Sequence, residues 1–253
     1  MQIISKQYEI HSFPFSKFSS FSLAVCQIML IFAQPTLEYA NVMKRSLLKI
    51  AAPILFVTIF FMSVGYKSVP VDDGQQAQDV IAEMNRCRQN PKEYAETTLK
   101  KHLACFVNES TFRDADGNMV VTTEGRRRVL EAINELKGMQ PVGPLTYDED
   151  LANAARFHCA DTGPSGHTGH DSSDGTTMTD RLMRFVKDRM RWGENIHYGS
   201  CSAEDIVVSL VVDDGVPSRG HLQNIMDSSY RRAGAAIGPH RTYRFMCVID
   251  YSD

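Results

Sequence analysis

The last twenty-one residues set the strongest constraint on the fold. Ala233, Ala235 and Ile237 alternate with their neighbours, and so do Tyr243, Phe245, Cys247, Ile249 and Tyr251. Alternation at every second position is the period of a strand with two different faces. The intervening "GPHRT" breaks the pattern, which predicts a hairpin. The segments before it carry the other period. Ala77, Val80, Ile81, Met84 and Cys87 recur at helical spacing, and residues 92–106 follow as a second helix after Pro91. Val129, Leu130, Ile133 and Leu136 stripe a helix over 124–137, and Leu151, Ala154, Ala155 and His158 stripe the next. Further helices are predicted over 180–187 and 203–212, and a hairpin over 112–121 with Asp116, Gly117 and Asn118 at its turn. Helices mixed with terminal antiparallel strands give an α+β protein.

The 253 residues divide unevenly by charge. Residues 1–71 hold two acids, Glu9 and Glu38, against six Lys and Arg; from Asp72 onward 28 acids face 21 bases. An acidic body excludes a nucleic-acid partner that would need a basic face. Lys44, Arg45 and Lys49 lead into an apolar run over 50–64. This is the pattern of a secretory signal near 43–66, and it is short for a spanning helix. A membrane is therefore expected only through an uncleaved anchor, and the mature protein is expected outside the cell or in a periplasm. Met43 would start that signal cleanly, so residues 1–42 read as a mis-assigned upstream leader. The expected organisation is leader 1–42, signal or anchor 43–67, a helical extension with a hairpin 72–144, and a core 145–253.

Export makes cysteine counting meaningful. Cys26 leaves with the leader. Of Cys87, Cys105, Cys159, Cys201 and Cys247, two bridges are expected, Cys87 with Cys105 and Cys201 with Cys247. No CxxC pair suggests a zinc ribbon. Asp114, Asp116 and Asn118 lack the calcium-loop spacing and read as turn chemistry. Asn108 opens a possible glycosylation acceptor.

Six of the eight histidines fall between positions 158 and 240. His167, His170 and His221 sit in glycine-rich or loop-like stretches with carboxylates nearby, and Glu194 lies in "WGENIHYG". Neutral imidazoles with a carboxylate suit zinc or another divalent cation, and the same groups suit acid–base chemistry. His158 lies on an apolar helix stripe and reads as a core histidine. His197 can face either way from a strand, and His240 is expected to be exposed. Trp192 reads as a packing anchor, Arg219 as a partner of Asp213 or Asp214, and Asn195 as a tie to backbone. Cys159 beside His158, and Ser218 beside His221, make poor nucleophile pairs. No strained G-x-S-x-G turn is present.

Taken in order, "HCADTGPSGHTGHDSSDG", "RL", "WGENIHYG", "DDGVPSRGHLQNI" and "MCVIDYS" resemble the CAP superfamily, the SCP-like domains of cysteine-rich secretory proteins, antigen 5 and pathogenesis-related proteins, in their compact bacterial or protist form. The likeness covers 147–251, and "EMNRCRQNPKEYA" extends it upstream. It implies a three-layer α-β-α sandwich with a central antiparallel sheet. It also implies a cavity of two histidines and two acids: His170, Glu194 and His221 at matching positions, with Asp213 where the family has the glutamate of W-x-x-E. Here that stretch reads "LVVD", without the tryptophan and one methylene shorter. The implied function is a secreted, non-enzymatic binding module. Its cavity would hold Zn2+ or another divalent cation, with no organic cofactor, and a nearby groove would take a lipid or sterol, a peptide or a cell-wall fragment. The alternative is a metal-dependent, protease-like hydrolase using the same cavity.

Overall fold

The computed structural model describes residues 73–253, apart from 116 and 188–189. The expected leader and signal over 1–67, and Cys26, lie outside the described residues. No described helix is long and apolar enough to cross a membrane.

Helix α1 (Asp73–Gln89) buries the predicted stripe of Ala77, Val80, Ile81, Met84 and Cys87. Its last turn also buries Arg88. A buried guanidinium needs acceptors for its donors. Nε donates to Gly143 O (2.8 Å), Nη1 to Ile225 O (2.5 Å) and Asp227 O (3.0 Å), and Nη2 to Tyr230 O (3.3 Å). One side chain thus ties the helix to two distant loops. Pro91 then opens α2 (Pro91–Tyr94), a π-helical turn (Ala95–Leu99) and α3 (Lys100–Ala104) as one continuous run.

Strands β1 (Thr111–Arg113) and β2 (Met119–Val121) form the predicted hairpin, with Thr111 opposite Val121. Asp114 accepts from the Asn118 backbone N (2.7 Å) and Nδ2 (2.9 Å), and Gly117 takes φ +87°. This is turn chemistry. In α4 (Arg126–Gly138), Val129, Ala132, Ile133 and Leu136 face inward. Leu130, expected among them, stays 47% exposed. Its place is taken by Arg128, which lies on the inward face, donates to Val212 O (2.5 Å) and grips Glu135 through two 2.9 Å bonds.

The main sheet runs β3 (Thr146–Tyr147), β5 (Arg232–His240), β6 (Arg244–Ser252), β4 (Trp192–Tyr198). The terminal hairpin is present as predicted, and β4 and β6 are also antiparallel. The sheet is not wholly antiparallel, because the short β3 runs parallel to β5. Its two faces follow the alternation. Ala233, Ala235, Ile237, Cys247, Ile249 and Tyr251 join the core under α1 and α7 (Ala203–Val212). Ile196, Ala236, Met246 and Val248 pack under α5 (Glu149–Thr162), with α6 (Met178–Phe185) beside it. This is an α+β sandwich with helices on both faces of the sheet. Gly234 sets the spacing on the α5 side: a Cβ there would fall 2.1 Å from Ala152 N. The segment before residue 145 contributes α1 and α4 to the same apolar core as the final strands.

Neither expected disulfide is present: Cys87, Cys105, Cys159, Cys201 and Cys247 are all free thiols. Cys87 faces the core from α1. Cys105 sits at the end of α3, with its thiol against Lys101 O (3.4 Å). Cys247 is sealed under the sheet face while Cys201 lies in a half-buried loop. Local spacing in the chain does not turn these side chains toward each other.

Candidate functional site

Strand β4 distributes three consecutive residues among three environments. Gly193 leaves room for the Tyr230 ring, whose hydroxyl would lie 2.4 Å from a Cβ. Glu194 turns toward α5 and α6. Asn195 turns the other way, donating to His221 O (3.1 Å) and Tyr251 OH (3.0 Å) and accepting from Asn224 Nδ2 (2.9 Å). Asn195 thus ties backbone, as expected. Trp192 packs against the cluster of Leu151, Ala154, Leu182 and Val186 as an anchor.

The Glu194 carboxylate is fully buried. Its Oε1 accepts from His170 Nδ1 (2.8 Å) and its Oε2 from Arg181 Nη2, whose side chain is also fully buried. Burial by itself would raise the carboxyl pKa. The His170 hydrogen bond and the charge of Arg181 outweigh it and leave Glu194 below the ordinary carboxylate value. Arg181 Nη1 also donates to His170 O (2.8 Å) and His158 Nδ1 (3.0 Å). Since Nδ1 of His158 accepts, its Nε2 donates to Gly169 O (2.9 Å). His158 is a satisfied core histidine whose pKa burial lowers. Opposite Glu194 on β6 stands Asp250, fully buried, with no hydrogen-bond partner on either oxygen. Burial first, then the nearby Glu194 charge, push its pKa well above the usual range, so it carries a proton.

The second pair forms where α7 ends. Asp213 adopts a left-handed conformation (φ +58°) that turns its side chain back onto α8 (Gly220–Met226). Oδ1 accepts from His221 Nδ1 (2.6 Å). Oδ2 accepts from the backbone N of His221 (3.0 Å) and of Leu222 (3.4 Å), capping the helix start. Asp214 caps elsewhere, accepting from Thr123 N (2.6 Å) and Glu124 N (2.7 Å). Arg219, expected on Asp213 or Asp214, instead grips Glu124 (2.7 and 2.8 Å). It reaches only the main-chain oxygen of Asp213 (2.7 Å). The aspartates were already filled by backbone donors.

The four expected residues therefore stand as two pairs, His170–Glu194 and His221–Asp213. Among the described residues, no group of three or more His, Cys, Asp or Glu is disposed to hold a metal ion. In each pair the carboxylate takes the Nδ1 proton and both of its oxygens are engaged. The donor set fits no site of four protein ligands. It fits two imidazoles that each keep Nε2 free and are oriented by a carboxylate behind. His167 is exposed; its carbonyl accepts from His240 Nε2 (3.2 Å) and its backbone N donates to Thr162 O (3.2 Å). His240, expected to be exposed, is 3% exposed, and its Nδ1 accepts from Thr242 N and Tyr243 N. Cys159 is no nucleophile: its thiol lies against Ala236 O and burial pushes its pKa up to about 12.

Two members of the network carry weak sequence signals. Arg181 is a charge beside Leu182 on the inward side of α6, and Asp250 shares the face of β6 that carries Met246 and Val248. A charge at a buried period is such a signal, though it names no partner.

Residues 130–251 match the CAP (cysteine-rich secretory protein) family. The chain is 27% identical over 108 residues to the uncharacterized protein YkwD of Bacillus subtilis (strain 168), covering 43% of this chain and 40% of that protein's length. Among solved structures, an outer surface protein from Borrelia burgdorferi superposes with a TM-score of 0.38 at 16% identity, over 44% of this chain and 79% of that one. An extracellular protein containing a SCP domain from Bacillus anthracis gives 0.36 at 19% identity, over 50% and 37%. Residues 130–251 of this chain thus form a CAP domain.

Proposed function

We propose that this protein is a secreted, non-enzymatic binding module that can hold a divalent cation such as Zn2+ through His170 and His221. One observation carries the reading. Each histidine has its Nδ1 proton held by a buried carboxylate that is itself held in place, by Arg181 in one case and by the start of α8 in the other. A ring fixed in this way presents its Nε2 lone pair outward in a defined direction. Glu194 and Asp213 act as orienting groups behind the ligands. The basic-then-apolar stretch over 43–67 supports export. The extracellular partner is a lipid or sterol, a peptide or a cell-wall component, taken in a groove near the histidines.

Isothermal titration of Zn2+ into the purified protein tests the cation site. Micromolar binding that His170→Ala and His221→Ala each abolish is the expected result. No heat of binding to a folded protein would remove it. The hydrolase alternative rests on the same oriented histidines, which could serve as a base. Turnover of peptide substrates that His221→Ala removes would favour it.

A further inference from the structure

The loop between α7 and α8, residues 213–219, decides where His221 stands. Asp213 and Arg219, at its two ends, both take left-handed backbone, at φ +58° and +52°. A Cβ makes that conformation unfavourable, so it persists where neighbours over-determine it. One set of neighbours is internal: the Asp213 carboxylate holds the His221 ring and the first turn of α8.

The other set is Thr123 and Glu124, which precede the family-matched stretch 130–251. The grip is reciprocal. Asp214 accepts from Thr123 N (2.6 Å) and Glu124 N (2.7 Å). Glu124 Oε1 accepts from Gly215 N (2.9 Å) and Arg219 Nη1 (2.7 Å), and Oε2 from Arg219 Nη2 (2.8 Å). Two parallel bonds between a guanidinium and a carboxylate fix orientation as well as distance. Arg219 Nη1 also reaches the main-chain oxygens of Asp213 (2.7 Å) and Val216 (3.0 Å). Gly215, at φ +74°, lets the loop lie against Thr123, whose Oγ1 would stand 3.2 Å from a Cβ there. The Arg219 bond holds the Glu124 carboxyl down at about 2 against partial burial, with the Gly215 N–H assisting, so it is charged at neutral pH. Arg127, a further cation near it, is largely exposed and stands at 3.6 Å.

We infer that Glu124 is a positioning residue of the His221 site: through Arg219 and Gly215 it fixes the α7–α8 loop, and with it the Asp213–His221 bond that aims Nε2. The inference rests on the cation reading only for the use to which the ring is put. Without Glu124, Arg219 loses its counter-charge, and the left-handed turn at Asp213 loses the fixed donor on its carbonyl. Asp213 then no longer specifies the tautomer of His221, because the bond on one ring nitrogen sets which nitrogen carries the proton. His170, oriented by Glu194 and Arg181, shares none of these partners and is the internal reference.

The test is imidazole 1H–15N NMR of the full-length, metal-free protein. In the parent, His170 and His221 should each show one tautomer, with the proton on Nδ1. Glu124→Gln, which keeps the size and one acceptor oxygen, should leave His170 unchanged and turn His221 into a mixture of tautomers. Arg219→Lys keeps the charge but loses the fork and should do the same; it serves if Glu124→Gln does not fold. Arg127→Gln should change neither histidine. Zn2+ should bind Glu124→Gln about tenfold more weakly than the parent, the usual cost of losing a partner behind a metal ligand. An unchanged His221 in folded Glu124→Gln, or in Arg219→Lys should the first not fold, would overturn the inference. So would a change at both histidines together, which marks general loosening. A parent that binds no Zn2+ would remove the cation reading, and the tautomer of His221 would still decide the role of Glu124.

Discussion

Glu194 and Asp250 face each other across β4 and β6, and only Glu194 is paired with His170 and Arg181. Glu194 gives both oxygens to His170 and Arg181 and remains charged. Asp250, at the same level of the sheet, keeps its proton. A single buried cation has selected which carboxyl ionises.

Asp250 makes stability fall with rising pH. Its pKa in the folded protein is raised above the unfolded value near 3.8. Its contribution is therefore complete below that pH and is lost as pH rises toward the folded value. Asp250→Asn keeps the shape and removes the titration. The variant should gain stability on the parent as pH rises from 5 to 8. Urea unfolding at the two pH values measures the difference, and parallel curves would count against a protonated Asp250.

The Glu194–Arg181 pair should behave as a unit. Glu194→Gln leaves a buried guanidinium without its counter-charge and is expected to cost about 3–5 kcal/mol, and Arg181→Met a similar amount. The double variant should be far less damaged than the sum of the two. Denaturant midpoints for the three proteins give the coupling. Additive losses would mean that the pair is not a single interaction.

Acid should loosen the domain at the hairpin. His102 and His197 have folded pKa values of about 4 and about 3, both below the ordinary 6.5. For a depressed histidine, stability is present above 6.5 and is lost as pH falls toward the folded value. His197→Phe should move the acid unfolding midpoint to lower pH, read by circular dichroism across pH 7 to 3. An unchanged midpoint would assign the acid limb to carboxylates.

Thiol reactivity separates the five described cysteines. Burial raises Cys87 and Cys159 to about 12, and holds Cys247 well above the usual thiol range. Cys105 and Cys201 are partly exposed. At pH 8 a thiol reagent should label Cys105 and Cys201 within minutes, and the other three only after denaturation. Mass spectrometry of labelled peptides reads the outcome, and no labelling of Cys105 or Cys201 in native protein would point to bridges after all.

Much of the fold was legible because hydrophobic period maps directly onto burial. The stripe on α1 and the alternation on β5 and β6 were read residue by residue. Helix α8 leaves no signal in the sequence because seven residues carry too little periodicity, and its start is capped from outside by Asp213. The tertiary partners were less legible. Nearness in sequence points Arg219 to Asp213 and Asp214, but its partner Glu124 lies 95 positions away, and backbone donors fill those aspartates. Leu130 was placed inward because four apolar residues look like one stripe, yet Arg128 had better partners on that side. The free thiols show the same limit, since spacing along the chain does not report side-chain direction.

The alternation Gly193, Glu194, Asn195 has a consequence for assembly. β4 is the outer strand of its sheet, and an outer strand can slide against its neighbour or recruit another chain. A slip of one residue here would move the Glu194 charge to the Gly193 position, opposite Tyr251, and leave Arg181 facing the Asn195 amide. It would also drive a side chain into Tyr230. Each error is of a different kind, so no single compensation repairs them together. The Asn224 amide further occupies the Glu194 carbonyl (3.2 Å). The triplet therefore acts as a key with three different teeth, and β4 can be laid onto β6 in only one alignment.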